Sequence, residues 1–167
     1  VFLKLSRSHP KFLSKLFELE VPEIKSGLVE IKSIAREAGS RSKVAVWSND
    51  DSIDPVGAMV GQRGSRVNVV MSELHGERID IIEYVESINE YIERSLSPAK
   101  ILGVDVDQDN KVAHAVVTED QQSLAIGKGG QNVRLAAKLT GYRIDIKAIA
   151  GEEMEEVEEE GGEEITN

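Results

Sequence analysis

Apolar residues in this chain recur at helical spacing in several segments that glycine and proline separate. A first helix is predicted to begin at Pro10 and to stop at Pro22 and Gly27. Its apolar face is predicted to contain Phe12, Leu13, Leu16, Phe17 and Leu19. The same spacing predicts three later helices, over residues 65–74, 87–96 and 131–139. Two shorter helices are predicted to follow Asp54 and Asp120, which are placed to cap them.

Strand patterns occupy the intervals between these helices. Residues 28–34 alternate apolar and polar side chains, as a half-buried strand does, and residues 43–48 are predicted to return alongside them after a turn at 38–40. Four further strands are predicted over residues 78–84, 101–106, 112–117 and 142–149. Residues 1–6 are also predicted to be a strand, although no partner precedes them in this chain.

A Gly-X-X-Gly turn occurs twice, at Gly61-Gln62-Arg63-Gly64 and, 66 residues later, at Gly127-Lys128-Gly129-Gly130. Each turn contains a cation, follows a short helix and precedes a longer helix that Gly76 or Gly141 is placed to cap. A strand with the core Arg-Ile-Asp-Ile then follows in both copies. Because the two copies stay in register at both ends, the sequence indicates a duplicated module with the element order α-β-β-α-α-β.

The chemistry of this turn favours a phosphate backbone as its ligand. Glycine allows positive φ and has no Cβ atom, so a sugar-phosphate backbone can approach closely. The helix that begins at the turn points its N–H groups and its positive dipole end toward the phosphate, and Arg63 and Lys128 add positive charge. The following strand and the short helix would form an apolar groove for unpaired bases. Single-stranded RNA is therefore the predicted ligand.

The residues predicted to contact RNA are the two turns and the polar residues that follow them: Gly61, Gln62, Arg63, Gly64, Ser65, Arg66, Gly127, Lys128, Gly129, Gly130, Gln131, Asn132 and Arg134. The polar residues directly after the turns could equally be solvent-facing caps, and Arg134 is either a phosphate contact or a surface residue. Val60 and Ile126 are either groove floor or core. For Trp47, packing is favoured over stacking on a base.

The net charge of −10 is unevenly distributed along the 167 residues. Residues 151–167 contain nine glutamates and no lysine or arginine, which leaves 21 acidic and 20 basic residues in 1–150. The first 150 residues can therefore still present a basic face. The acidic segment has almost no apolar residues and is predicted to be a disordered tail, either a solvating one or one that competes with RNA for the basic face.

The repeated frame and its turn are similar to the KH domain, in which the turn clamps about four backbone nucleotides. The helix before each hairpin favours the type II arrangement: an α+β fold of two tandem KH domains, each with a three-stranded sheet and helices on one face. Residues 8–24, 54–67 and 123–146 further resemble the tandem KH region of the NusA family of bacterial transcription elongation factors. This resemblance covers essentially residues 1–150.

The resemblance implies a division of the chain into a remnant of an upstream S1 domain (1–7), a first KH domain with its leading helix (8–95), a second KH domain (96–150, leading helix about 87–96) and the tail. It implies that a polymerase-binding N-terminal domain is absent from this chain. It also implies a role in pausing, termination and antitermination through nascent or leader RNA. RNA polymerase and other antitermination factors would then be partners of the full-length protein, and a monomer is expected.

Other functional classes have little support in the sequence. No cysteine is present, and the three histidines, His9, His75 and His114, match no zinc spacing, so no metal or cofactor is expected. No phosphate-binding loop or nucleophile–histidine frame supports an enzyme. The absence of a long apolar run or a signal-like start favours a soluble, cytoplasmic protein. The alternative that stays open is a protein-interaction module that uses the KH frame without RNA.

Overall fold

The computed structural model describes residues 2–150, which form two modules of the same topology. The first module contains α1 (Pro10–Glu20), α2 (Pro22–Lys25), β1 (Val29–Glu37), β2 (Arg41–Ser48), α3 (Pro55–Val60), α4 (Ser65–Glu73) and β3 (Arg78–Glu83). The second contains α5 (Ile88–Ser95), β4 (Gly103–Asp107), β5 (Val112–Thr118), α6 (Glu119–Ile126), α7 (Gln131–Thr140) and β6 (Arg143–Ile149). The predicted α+β fold with two three-stranded sheets is confirmed.

Both sheets have the same strand order and the same directions. In the first, β1 and β2 form an antiparallel hairpin and β3 lies parallel to β2, in the order β1-β2-β3. In the second, β4, β5 and β6 repeat this arrangement. A parallel neighbour requires a crossover connection, and the helix pairs α3–α4 and α6–α7 provide it. The crossover places each Gly-X-X-Gly turn between two helices and beside an edge strand.

Each module has its own apolar core on one face of its sheet. Leu13 and Phe17 of α1 pack with Val44 and Val46 of β2 and with Met59 of α3 in the first core. The second core is built by residues of α5, β5, α7 and β6, among them Ile92, Leu96, Ala113, Ala115, Ala136 and Ile144. The helix α5 therefore packs on the second module, as the leading helix α1 packs on the first.

The outer face of the first sheet is covered by helices of the second module. Leu135 and Leu139 of α7 and Tyr91 of α5 pack against Ala35 and Ala45 in a third buried cluster. The Ser33 hydroxyl donates to the Leu139 carbonyl over 2.9 Å, across the junction. Strand β2 is therefore enclosed on both faces, and residues 41–46 are all buried. The two modules are thus held in one relative position by a packed interface.

A buried charged cluster lies within this interface. The Asp80 carboxylate accepts hydrogen bonds from Arg41, at 2.6 and 2.9 Å, and from the Lys43 ammonium at 2.9 Å. Lys43, whose side chain is fully buried, also donates to the carbonyl of Ser97 in the second module over 2.8 Å. Burial lowers the pKa of Lys43 to about 8, because the desolvation of its ammonium outweighs the attraction of Asp80.

Several predictions of local structure differ from the structure. Residues 2–6 form no strand, because an isolated strand has no partner for its backbone groups. Leu19 is 81% exposed, since the buried face of α1 follows Leu13 and Phe17. Thr118, rather than Asp120, is the N-cap residue of α6. After α4 the first left-handed residue is His75; Gly76 follows it, is left-handed as predicted, and donates its N–H to the Met71 carbonyl over 2.9 Å. Gly141 caps α7 as predicted.

Other predictions are confirmed or fall outside the described residues. Asp54 caps α3, accepting a hydrogen bond from the Val56 N–H, and Trp47 packs edge-on against Tyr84 with ring centroids 6.0 Å apart. The predicted acidic tail, 151–167, lies outside the described residues. Among the helices that the structure describes, none has the length and apolar character needed to cross a membrane.

The lowered pKa of Lys43 predicts an unusual pH dependence of stability. Between pH 8 and the ordinary lysine value of 10.5 the unfolded chain holds a proton that the folded protein has lost, so stability rises with pH in this window. We expect the free energy of unfolding of the wild type, relative to Lys43→Met, to rise by about 1 kcal/mol per pH unit there. Urea unfolding at pH 7.5–10 measures it. Parallel pH profiles for the two proteins would contradict the assignment, since Asp80 keeps Arg41 as its partner in both.

Candidate nucleic-acid interface

The two Gly-X-X-Gly turns have the same backbone conformation. Gly61 and Gly127 have φ/ψ of 74°/171° and 78°/168°, a combination that is essentially restricted to glycine. The third residues, Arg63 and Gly129, are both left-handed, with φ of 54° and 61°. The last glycine of each turn is left-handed as well, with φ of 76° in the first turn and 74° in the second. The duplication seen in the sequence therefore extends to the dihedral angles.

Close approach to the following helix is a second reason for the first glycine of each turn. A Cβ atom at Gly61 would lie 2.9 Å from the backbone nitrogen of Arg66, and one at Gly127 would lie 2.7 Å from the backbone nitrogen of Asn132. The last glycines differ in this respect. A Cβ at Gly64 would meet only the flexible end of Asn68, and one at Gly130 would meet no atom closer than 3.9 Å. The outer corner of each turn is thus open to a ligand.

Each turn leads into a helix that lacks a side-chain cap. The N-cap residues of α4 and α7 are Gly64 and Gly130, and neither can supply a side-chain acceptor for the N–H groups of the first helical turn. The side chains of Gln62, Arg63, Ser65 and Lys128 are exposed around these helix starts. The arrangement offers N–H donors, the positive end of a helix dipole and a cation to an anionic ligand.

A groove with mixed polar and apolar lining runs along the helix and strand that flank the first turn in sequence. Helix α3 packs along β3, the edge strand of the first sheet, as the sequence predicted. An open depression of about 590 Å³ extends from this edge to residues 97–101 of the second module. Val56, Ile81, Ala99 and Ile101 supply apolar lining and Lys100 supplies a cation, whereas Arg94 is paired there with Glu83, beside Glu93. Sequence analysis missed Lys100, because only the docking of the two modules brings it beside β3. Val60 and Ile126, which precede the turns, are half-buried.

Two of the predicted contact residues make hydrogen bonds within the protein. Asn132 is wholly buried and donates from Nδ2 to the carbonyls of Leu96 and Ala125, at 3.0 and 2.9 Å, so its side chain cannot reach a ligand at the surface. Arg66, at the equivalent position of the first copy, donates from Nη1 to the Ala58 carbonyl and to Glu23. Both side chains connect the long helix to the short helix before the turn, which fixes the angle between the two helices.

Two other predicted residues connect the second turn to the first module. Gln131 donates from Nε2 to the Ser40 hydroxyl over 2.7 Å. Arg134 donates from Nη1 to the Gly129 carbonyl over 2.9 Å, and from Nε and Nη2 to a carboxylate oxygen of Glu37 over 3.1 and 2.5 Å. Asn132 is therefore the one member of the predicted set that the structure removes from the surface; the side chains of Arg66 and Arg134 are engaged but stay 30% and 45% exposed.

The type II topology, repeated with its turn in both modules, defines a tandem of KH domains. The family models agree: residues 7–84 match the NusA-like first KH domain and residues 88–154 match the NusA-like second KH domain. The crystal structure of APE1850 has a similar fold, with a TM-score of 0.59 and 24% sequence identity, over 86% of this chain and 100% of that one.

Relatives with the name transcription termination/antitermination protein NusA match most of the chain. The protein of Halalkalibacterium halodurans is 54% identical over 87% of this chain and 38% of its own length. The Bacillus subtilis protein is 53% identical over 86% and 39%, and the Thermus thermophilus protein 49% identical over 92% and 40%. The chain belongs to the NusA family, and it spans about two fifths of the length of these relatives.

The turn geometry predicts different costs for alanine at two glycines of the second turn. Gly127→Ala should lower the free energy of unfolding by about 3 kcal/mol or more, because the new Cβ meets both a glycine-only dihedral and the Asn132 backbone. Gly129→Ala should cost only about 1 kcal/mol, since the Cβ enters open space and only the left-handed strain remains. Urea unfolding measures both, and equal costs would contradict the close approach.

Proposed function

We propose that this chain binds single-stranded RNA, with one clamp at each Gly-X-X-Gly turn. The observation that carries the proposal is the repeated corner: two turns with the same dihedral angles, each open at its last glycine and each leading into a helix without a side-chain cap. Such a corner suits a phosphate backbone, which needs donors and close approach rather than a deep pocket.

The bases bound at the first clamp would lie in the groove along α3 and β3. The half-buried apolar side chains of α3 and β3 offer a surface on which unpaired bases can pack. A duplex would not place its bases there, because they are stacked inside the helix. We therefore expect unstructured RNA to bind more tightly than duplex RNA. Titration of the protein with short RNAs of both kinds, at two ionic strengths, measures the difference. Binding should weaken as salt rises, because phosphate contacts release counterions.

The role in the cell follows from the relatives. Their printed name, transcription termination/antitermination protein, supports a role for this chain in pausing, termination and antitermination. RNA bound by the two KH domains would be nascent or leader RNA. RNA polymerase and antitermination factors would be contacted through parts of the full-length protein that lie outside this chain. We further propose that the protein acts as a monomer in the cytoplasm and that it is not an enzyme.

Aspartate at the open corners tests the clamps directly. Gly64→Asp and Gly130→Asp should each weaken binding of an unpaired octamer at least about tenfold, because a carboxylate would meet phosphate at the place of closest approach. Gly64→Asn and Gly130→Asn are the matched controls, since asparagine also tolerates left-handed φ and has the same shape without the charge. Fluorescence anisotropy measures the affinity. Unaltered RNA affinity in both aspartate variants would favour a protein-interaction module instead.

The fixed relative position of the modules predicts avidity. An unpaired RNA of about eight nucleotides should bind on the order of 100-fold more tightly than one of four, because each module accommodates about four and the second binding event is intramolecular. Isothermal titration with oligomers of four, six, eight and ten nucleotides measures the step. A smooth, shallow increase with length would show that the clamps act independently.

A further inference from the structure

We infer that Glu37, a residue of the first KH domain, holds the second clamp in its binding shape by way of Arg134. The inference rests on the proposed RNA-binding function for its consequence, but the contact itself can be tested without RNA. Glu37 is thus a positioning residue for a site on the other domain, and the second clamp is fully formed only while the two domains are docked.

The second turn needs external support more than the first. It contains three glycines with positive φ, Gly127, Gly129 and Gly130, and a Cβ at Gly129 would meet no atom within 4 Å. Glycine has the largest conformational freedom to lose, so such a segment is easily deformed. The first turn has Arg63 at the position of Gly129, which restricts the backbone, and the Asn68 side chain of its own helix lies against Gly64.

Arg134 supplies the support, and it does so from an anchored position. Its guanidinium donates to the Gly129 carbonyl through Nη1 and to Glu37 Oε1 through Nε and Nη2. The planar fork of arginine fixes these donors relative to one another, so anchoring one side orients the other. Oε1 of Glu37 accepts both hydrogen bonds from Arg134, whereas Oε2 is buried and accepts none among the described residues. Arg134 is therefore the cation that compensates the negative charge of this carboxylate.

Glu37 is itself held by the interface. It is the last residue of β1, and the hydroxyl of Ser40, three residues further on, accepts from Gln131 at the start of α7. Leu135 and Leu139, on the same helix, are buried against Ala35 and Ala45 of the first sheet. The packed interface therefore sets the distance between Glu37 and the second turn, and the ion pair transmits that position to the Gly129 carbonyl.

A rival interpretation makes the opposite prediction. If Arg134 contacts phosphate, Glu37 competes with RNA for it, and removal of Glu37 should tighten binding. If Arg134 supports the turn, removal of Glu37 should weaken binding at the second clamp alone. The sign of the effect separates the two.

The first test measures hydrogen exchange in the RNA-free, full chain. Glu37→Ala should raise the exchange rate of the amides of residues 127–131 about three- to tenfold, while residues 61–65 stay unchanged. Glu37→Gln, which keeps an acceptor oxygen, should give a smaller increase. Glu30→Ala is the matched control, because it removes an exposed glutamate from the same strand, where its partner is Lys32. Unchanged exchange at 127–131 in Glu37→Ala would overturn the inference.

The second test uses RNA with one clamp disabled at a time. In the Gly64→Asp background, where binding depends on the second clamp, Glu37→Ala should weaken affinity for an unstructured octamer about fivefold. In the Gly130→Asp background it should have no effect. Arg134→Lys should weaken binding as Glu37→Ala does, because lysine keeps the charge but loses the fork. Tighter binding by Glu37→Ala, or an equal loss in both backgrounds, would overturn the inference.

The two tests also separate this inference from the proposed function. If exchange at 127–131 rises in Glu37→Ala but neither aspartate variant alters RNA affinity, the positioning role stands and the RNA function fails. If the aspartate variants lose RNA affinity but exchange is unchanged, the clamps stand and the role of Glu37 fails.

Discussion

The burial of α7 against the outer face of the first sheet is the constraint on which the rest of the structure depends. Leu135 and Leu139 are buried in a cluster with Ala35, Ala45 and Ile82 of the first sheet. Burying each leucine stabilises the docked arrangement by about 2 kcal/mol. This burial offsets the entropy that two small modules lose when they no longer move independently. The same helix begins at the second Gly-X-X-Gly turn. A hydrophobic contact between modules therefore determines where an RNA-binding corner lies.

The duplication is symmetric in its turns and asymmetric in its sheets. Strand register pairs Lys43 with Asp80 in the first module and His114 with Asp145 in the second. The Lys43 side chain is fully buried by the docked module, whereas that of His114 is 56% exposed. Asp105 and His114 are cross-strand neighbours on the second sheet, where the first has Ala35 beside Lys43. The exposed side chains of His114 and Asp145 leave this face of the second sheet in contact with water, within the part of the chain that the structure describes.

Much of the fold and the outline of the site were predictable because they depend on short-range rules. The duplicated turns, the capping of α3 by Asp54 and the C-terminal glycine of α7 follow from local preferences of glycine, proline and aspartate. The prediction of a strand at residues 1–6 was wrong, because a strand requires a pairing partner and the local pattern of residues does not show whether one is present. Asn132 was misassigned for a similar reason: a polar residue after a turn looks exposed until α5 and α6 close over it.

The sequence by itself determined that two KH modules with cationic, glycine-rich corners would form. Periodicity, turn chemistry and the spacing of the repeat depend on residues that are close together in the sequence or recur at a fixed interval. Only the tertiary structure decided which polar side chains remain available to a ligand. Arg66, Asn132 and Arg134 look alike as polar residues near a turn, yet each is engaged by a partner far away in the sequence or in a neighbouring helix. Those partners are set by how the modules pack, and packing depends on shape and burial in three dimensions.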